Sequence, residues 1–203
     1  IFSLSLCLLL LTACGTRREY YEPEKVDKKL SYDEKIGSKI TQTNLNFATL
    51  RNDKVLSKDG IIEDFKLAEG FRLLHYEADE FVIADKDGNL KVVDRANEEL
   101  YSHKFDAAVL SVALSGDDMA LVLADNTIVL INRSLGIKMS QTLTPAPAQD
   151  SRVASPYFMD SIIVYPTLDG KLVVVDKASQ KVLRDIIISS ADFFNNVIYL
   201  SVE

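Results

Sequence analysis

Residues 81–95 read FVIADKDGNLKVVDR, and this stretch predicts two short β-strands joined by a tight turn. Its apolar residues form short runs and are mostly β-branched, which is typical of strands. Asp87-Gly88 separates the two runs and is a strong hairpin turn pair, because glycine accepts the positive φ that such turns require. The second strand closes on Asp94, which is followed by a basic residue.

The same pattern occurs twice more along the chain. Residues 120–133 read ALVLADNTIVLINR, and residues 162–177 read IIVYPTLDGKLVVVDK. The closing residues Asp94, Asn132 and Asp176 are 38 and then 44 positions apart. A period of about 40–50 residues with several strands in each unit is typical of β-propeller blades. A β-sandwich, in which strands recur every ~8–12 residues, is the alternative.

Each unit divides into four strands, so we predict an all-β protein built from propeller blades of four antiparallel strands. For the last two complete units the strands are predicted over residues 109–114, 119–124, 127–132 and 137–142, and over 152–158, 162–165, 171–176 and 181–187. Two more are predicted over 191–194 and 197–202. About four blades fit from Leu45 onward, whereas propellers have ~4–8. We therefore expect the chain to be an incomplete piece of a longer protein that stops inside a blade.

Residues 87–101, DGNLKVVDRANEELY, resemble the repeat of PQQ-like propellers. That repeat has a glycine turn, a strand closed by Asp, a second turn, and a strand that carries Trp in the enzymes. Residues 125–139 and 169–183 are similar in the same way, and the resemblance covers roughly residues 70–190. The resemblance implies the propeller architecture more strongly than any activity, since one fold hosts many functions.

Two classes of PQQ-like propeller are then possible. Quinoprotein dehydrogenases use the repeated Trp residues to dock blades, but this chain has no Trp and carries Tyr101, Met139 and Leu183 near that position. The second class contains lipid-anchored, BamB-like propellers of the outer-membrane β-barrel assembly machinery. This resemblance implies a non-catalytic scaffold that binds envelope proteins, and we predict this function with no catalytic residue and no cofactor. A PQQ-dependent dehydrogenase or a periplasmic ligand-binding propeller is the alternative.

The N-terminus predicts export and lipid anchoring. Residues 1–11 read IFSLSLCLLLL, an uncharged run that is too short for a membrane-spanning helix of ~20 residues but fits the apolar part of a secretory signal. Leu11-Thr12-Ala13-Cys14 resembles the lipobox of bacterial lipoproteins, which implies that a signal peptide over residues 1–13 is removed and that Cys14 receives a lipid. Gly15 stands where Asp retains enteric lipoproteins in the inner membrane, so the resemblance implies the outer membrane, on its periplasmic side. An ordinary secretory signal is the alternative.

Residues 14–40 are dense in charge and lack a sustained apolar period, so we predict a flexible tether before a partial propeller over residues 41–203. A short helix over residues 24–35 is the alternative. The chain has 30 acidic and 23 basic residues, a net charge of -7, which makes nucleic acid a poor partner because such binding rests on neutralising phosphates. Membrane contact is therefore expected through the N-terminal lipid alone.

The remaining candidates for chemistry are weak, and we predict no metal site. His75 and His103 lie in strand-like stretches without further ligands nearby, so we interpret them as half-exposed strand residues. The acidic clusters at residues 77–80 and 116–118 lack the spaced oxygen ligands of a calcium loop and are interpreted as solvated turns. Residues 144–150, TPAPAQD, are interpreted as a stiff loop between blades, with partner contact as a second possibility.

Overall fold

The computed structural model describes residues 35–146, 152–190 and 195–202. Within these ranges the secondary structure is β-strand without helix, so no described helix is available to cross a membrane. The predicted signal peptide, Cys14 and most of the predicted tether lie outside the described residues. All of the strands lie in the compact unit that begins at Ser38.

The described strands form four antiparallel sheets of four strands each, and in every sheet the strands are adjacent in chain order. Blade 1 contains β1 (Ile40–Thr43), β2 (Phe47–Leu50), β3 (Val55–Ser57) and β4 (Gly60–Ile62). Blade 2 contains β5 (Phe71–Glu77), β6 (Glu80–Asp85), β7 (Asn89–Val93) and β8 (Glu99–Lys104). Blade 3 contains β9 (Val109–Ser115), β10 (Asp118–Leu123), β11 (Thr127–Asn132) and β12 (Gly136–Thr142). Blade 4 contains β13 (Tyr157–Phe158), β14 (Ile162–Pro166), β15 (Lys171–Asp176) and β16 (Val182–Ile187).

This arrangement confirms the prediction of an all-β protein with four-stranded blades and about four blades. It excludes the sandwich alternative, because a sandwich distributes its strands over two facing sheets. The first strand of a blade contacts the first strand of the next, as β5 does with β9 and β9 with β13. The first strands are therefore the inner strands of the blades, and the fourth strands are the outer ones.

Apolar side chains fill the boundaries between neighbouring blades. Between blades 1 and 2, the rings of Phe65 and Phe81 stack with their centroids 3.6 Å apart. The boundary between blades 2 and 3 is the largest of the three described clusters and includes Val82, Val112 and Met119, all fully buried. Between blades 3 and 4, the buried hydroxyl of Tyr165 donates to the carbonyl oxygen of Val129 at 3.1 Å. Each blade is thus held by burying apolar surface against its neighbours.

One turn is repeated in all four blades, between the second and third strands. Its key residue has a positive φ and is Asp53, Gly88, Asn126 or Gly170, with φ of 64°, 88°, 63° and 83°. The carbonyl oxygen of each accepts a hydrogen bond from a backbone N–H that follows the fourth strand; these donors are Leu67, Phe105, Leu143 and Ile188. The turn therefore ties the middle of the blade to the chain that leaves it, and the predicted turn pairs at Gly88 and Gly170 are confirmed.

The repeated Asp or Asn at the end of the third strand caps the following turn. Oδ1 of Asp94 accepts hydrogen bonds from two backbone N–H groups, those of Ala96 and Glu98, both at 2.8 Å. Asn132 and Asp176 accept equivalent bonds from the backbone after them. Short polar side chains that bond to the backbone a few residues on favour turns, which explains the repeat seen in the sequence.

Two strand predictions are wrong. The strand predicted over residues 152–158 is limited to β13 (Tyr157–Phe158), and residues 197–202 form no strand. The N–H of Ala154 donates to the carbonyl oxygen of Val197, and the N–H of Val197 donates to the carbonyl oxygen of Thr167. Each is a single hydrogen bond that is not part of a paired strand. These isolated bonds take the place of strand pairing. The strand predicted over residues 191–194 lies outside the described residues.

Candidate protein-binding surface

The outer strand of blade 4 is apolar and open to solvent. All six residues of β16 are exposed, and four of them are apolar. Leu183 and Ile187 are the most accessible, at 59% and 67%, and Ile188 directly after the strand is also exposed. Large exposed apolar groups in contiguous stretches mark interaction sites more often than single ones do.

The outer strands of blades 2 and 3 differ from β16. In β8, Leu100 is the one large apolar side chain among the exposed residues, and in β12 it is Ile137. The other exposed positions of these two strands are polar or charged, which is the usual way in which proteins protect a sheet edge. In β16 four of the six exposed residues are apolar, so this edge is less protected and is the candidate binding surface.

Charges of both signs interrupt the apolar residues of β16. Arg184 is exposed and has no ion pair or hydrogen bond with any described side chain. The carboxylate of Asp185 lies 4.0 Å from Nζ of Lys171 on β15. The surface therefore combines exposed apolar groups with one cation that is available to a partner.

Two clefts between blades are weaker candidates. The larger, about 840 Å³, lies between blades 1 and 2 and is lined by Leu67, Phe71 and the ion pair of Lys91 with Glu99, whose atoms are 2.8 Å apart. This pairing lowers the pKa of Glu99. The smaller, about 470 Å³, lies between blades 3 and 4 beside Asp118 and Lys138, which are 3.1 Å apart. Because the charges of these two pairs are already neutralised within the protein, both clefts are weaker candidates than β16.

The structure places the two histidines at opposite edges of blade 2. His75 lies on the inner strand β5 and His103 on the outer strand β8, and both are half-buried. His75 lies 3.3 Å from the carboxylate of Glu77; burial lowers the pKa of this histidine, and Glu77 partly offsets that effect. The ring of His103 packs on Phe105, with centroids 4.5 Å apart. Both are half-exposed strand residues as predicted, and the structure does not bring them together.

The acidic clusters are more ordered than predicted. Asp79 pairs with Arg95 at 2.6 Å, and Glu80 with Arg133 at 2.5 Å, while Asp118 is half-buried against Lys138. Their interpretation as solvated turns is therefore wrong for Glu80 and Asp118, which are half-buried strand residues, whereas Asp79 is an exposed turn residue as predicted. Each occupies the start or the turn of a hairpin, where a cation of the same or a neighbouring blade can reach it.

The three residues near the expected Trp position have different surroundings. Tyr101 packs against the cluster between blades 2 and 3, and Met139 against the cluster between blades 3 and 4. Both thus contribute to packing between blades. Leu183, the third, is exposed on β16 and belongs to the candidate surface.

The remaining predicted features are described in part or not at all. Cys14, the predicted lipid site, lies outside the described residues, as do residues 147–150 of the predicted loop. The described part of that loop follows β12 without forming a strand, and the carbonyl oxygen of Thr144 accepts a hydrogen bond from Asn126 at 2.7 Å.

No protein-family model matches the chain. Among curated proteins it is similar to plasminogen-binding protein PgbB of Helicobacter pylori. It is 27% identical to PgbB of strain 26695 over an alignment 247 positions long, which covers 98% of this chain and 45% of that protein. It is 41% identical to PgbB of strain J99 over 97 residues, which cover 46% of this chain and 18% of that protein. The chain thus spans less than half the length of these curated relatives.

Among solved structures, the chain is similar to BamB from Moraxella catarrhalis, with a TM-score of 0.56 and 16% identity over 76% of this chain and 52% of that one. It is also similar to the β-propeller domain of Cps50 (Swd1) from Myceliophteria thermophila, with a TM-score of 0.51 and 12% identity over 71% of this chain and 54% of that one. The four blades therefore form part of a β-propeller whose fold is similar to that of BamB.

Proposed function

We propose that this chain is part of a non-catalytic, lipid-anchored propeller that binds a protein partner through β16. The observation that carries the proposal is the outer strand of blade 4, in which all six residues are exposed and four are apolar. A long apolar sheet edge invites association with other chains, and folded proteins normally cover or charge such an edge. The names of the curated relatives, which record the binding of a protein, support the same function.

The proposed location is the periplasmic side of the outer membrane. It rests on the lipobox resemblance at Cys14 and on Gly15 after it. One acyl chain alone gives marginal membrane binding, whereas the several chains of a bacterial lipoprotein anchor stably.

For the partner we propose a component of the outer-membrane β-barrel assembly machinery or one of its client proteins. The support for this proposal is the BamB-like fold. A shared fold by itself shows the architecture, because one fold hosts many functions. Plasminogen is the second candidate, and the similarity to PgbB along nearly the whole chain favours it.

Site-specific photo-crosslinking in cells tests the first candidate. A photoreactive amino acid replaces Ile187 in the full-length protein, and the matched control replaces Leu135, which is 79% exposed in the turn before β12. We expect crosslinks from position 187, but not from position 135, to a barrel-assembly component or to an outer-membrane barrel protein. Crosslinks to neither class at position 187, identified by mass spectrometry, would contradict the proposed partner.

Binding to immobilised plasminogen tests the second candidate. We expect full-length protein purified in detergent to bind, Ile187→Lys to weaken binding, and Leu135→Lys to leave it unchanged. A partner-binding surface elsewhere is indicated if Ile187→Lys binds as the parent protein does.

A further inference from the structure

We infer that β16 accepts an extended partner segment as a fifth strand of blade 4, and that this segment places an acidic side chain opposite Arg184. The inference rests on the proposed function, because it specifies how a protein partner uses the surface. It predicts the chemistry of the partner segment: extended backbone, apolar side chains and a carboxylate at its centre.

The backbone of β16 supplies the first part of the argument. One edge of the strand pairs with β15 in an antiparallel register from Lys171 opposite Ile187 to Val175 opposite Val182. Within the described ranges no strand pairs with the other edge, so β16 is the last strand of its sheet. The N–H and C=O groups of such an edge are available to an added strand, and main-chain hydrogen bonds then provide much of the affinity.

The side chains supply the second part. Successive residues of a strand point to opposite faces, so Ile186 and Ile187 present apolar groups on both faces of the sheet. An added strand meets apolar neighbours on either face, and each cross-strand apolar pair is stabilising. A polar or strongly charged segment would leave these isoleucines exposed, so the surface selects an apolar extended segment.

The charges decide the centre of the partner segment. Asp185 already has Lys171 within 4.0 Å, whereas Arg184 has no ionic partner among the described residues. Opposite charges directly across two strands are stabilising and like charges are destabilising. An acidic residue opposite Arg184 therefore completes the surface, and a basic residue there is disfavoured.

The same charges argue against a second copy of this chain as the occupant. A two-fold symmetric antiparallel pair places a residue opposite its own symmetry mate. Centred on the middle of β16, such a pair sets Arg184 against Arg184 or Asp185 against Asp185, which is repulsive in either register. A different protein with an acidic centre avoids this conflict.

A labelled peptide with full-length protein tests the inference by fluorescence polarisation. The probe is acetyl-Thr-Ile-Thr-Val-Glu-Val-Thr-Ile-Thr-amide, compared with a version in which the central Glu is Lys and a version N-methylated at alternate backbone positions. We expect Arg184→Glu to weaken the Glu peptide about tenfold and to favour the Lys peptide instead, since one cross-strand charge pair changes sign. The charge-swapped pair also shows that the variant is folded. Ile187→Lys should weaken the binding of both the Glu and the Lys peptide, and Leu135→Lys should change the binding of neither.

N-methylation should abolish binding, because it removes the main-chain donors that an added strand needs. Equal binding of the N-methylated peptide, or of the Glu peptide to Arg184→Glu, would overturn the inference. If Ile187→Lys abolishes binding of the protein partner while no peptide binds, strand addition is wrong and the proposed function stands. If neither the protein partners nor the peptides bind, both are wrong.

Discussion

The side chain of Asn126 accepts a hydrogen bond from the backbone N–H of Leu168 at 2.9 Å, across the boundary between blades 3 and 4. Its amide nitrogen donates to the carbonyl oxygen of Thr144 at 2.7 Å and to the carboxylate of Asp169 at 3.1 Å. Asn126 is fully buried and has a positive φ of 63°. One residue therefore shapes the turn of blade 3 and holds the corresponding turn of blade 4.

We predict that Asn126→Gly lowers the free energy of unfolding by about 2–3 kcal/mol, because it removes several buried hydrogen bonds and leaves the N–H of Leu168 without its acceptor. Glycine accepts the positive φ, so the loss of stability measures the contribution of the Asn126 side chain. Asp53→Gly is the matched control, since Asp53 occupies the same turn position in blade 1 but is exposed. Urea denaturation of full-length protein measures both changes; equal losses would show that Asn126 has no special role.

Alanine substitutions at two glycines separate backbone strain from close packing. A Cβ at Gly170 would collide with the backbone oxygen of Ser189, whereas a Cβ at Gly116 would meet no atom within 4 Å. Both glycines have positive φ, 83° and 60°. We predict a loss of about 1–2 kcal/mol for Gly116→Ala from the conformation alone, and of about 3 kcal/mol or more for Gly170→Ala. Thermal melting of both variants measures which one loses more stability. A larger loss for Gly116→Ala than for Gly170→Ala would contradict the prediction.

The repeat could be predicted from the sequence because its causes are local. Gly88 and Gly170 set the turns through their own φ, and Asp94, Asn132 and Asp176 cap turns a few residues away. The strand ends near residues 152–158 and 197–202 could not be predicted in the same way. Whether these residues form a strand depends on which distant carbonyl oxygen accepts a hydrogen bond from each N–H, as when Ala154 donates to Val197.

The candidate surface could not be predicted because apolar composition does not distinguish the outer strand of a blade from the strand beside it. β16 reads VLRDII and all six of its residues are exposed, while β15 reads KLVVVD and contains three buried valines. The signal that separates them is position, since β16 is the fourth strand of its unit. From the sequence, Leu183 is singled out only as a residue near the expected Trp position, where the resemblance implies packing between blades.

The ion pair between Glu80 and Arg133 predicts an acid-sensitive contact between blades 2 and 3. The guanidinium donates to both carboxylate oxygens, at 3.0 and 2.5 Å. The hydrogen bond from Arg133 lowers the pKa of Glu80, and partial burial opposes this shift to a smaller extent. Because the folded pKa lies below the unfolded value of about 4.3, the pair contributes stability above that value and loses it as the pH falls through the folded pKa.

We therefore predict that Glu80→Gln lowers stability by about 1 kcal/mol at neutral pH and by progressively less as the pH falls from about 5 to 3. Thermal melting across this range measures the difference from the parent protein. Glu69→Gln, at an exposed carboxylate, is the control and should change little. A constant difference between Glu80→Gln and the parent across the range would show that the ion pair is not the cause.

Titration with PQQ and calcium separates the proposed scaffold from a quinoprotein dehydrogenase. We predict no binding by full-length protein, because the chain lacks the Trp residues of the enzymes' repeat. A ligand at ~100 times its Kd stabilises a folded protein by ~2.7 kcal/mol, which a thermal shift detects readily. A saturable absorbance change accompanied by such a shift would favour the dehydrogenase.

The lipid anchor is tested by a pair of cysteine substitutions. If Cys14 carries the lipid, Cys14→Ala should release the protein into the soluble periplasmic fraction or leave an uncleaved precursor, because the acyl chains supply the membrane affinity. Cys7→Ala is the matched control: Cys7 lies within the predicted signal peptide, so processing and anchoring should be unchanged. Fractionation followed by mass spectrometry of the mature N-terminus measures both. A processed Cys14→Ala protein that still partitions with membranes would require another anchor, and the outer-membrane location, which rests on the lipobox, would lose its support.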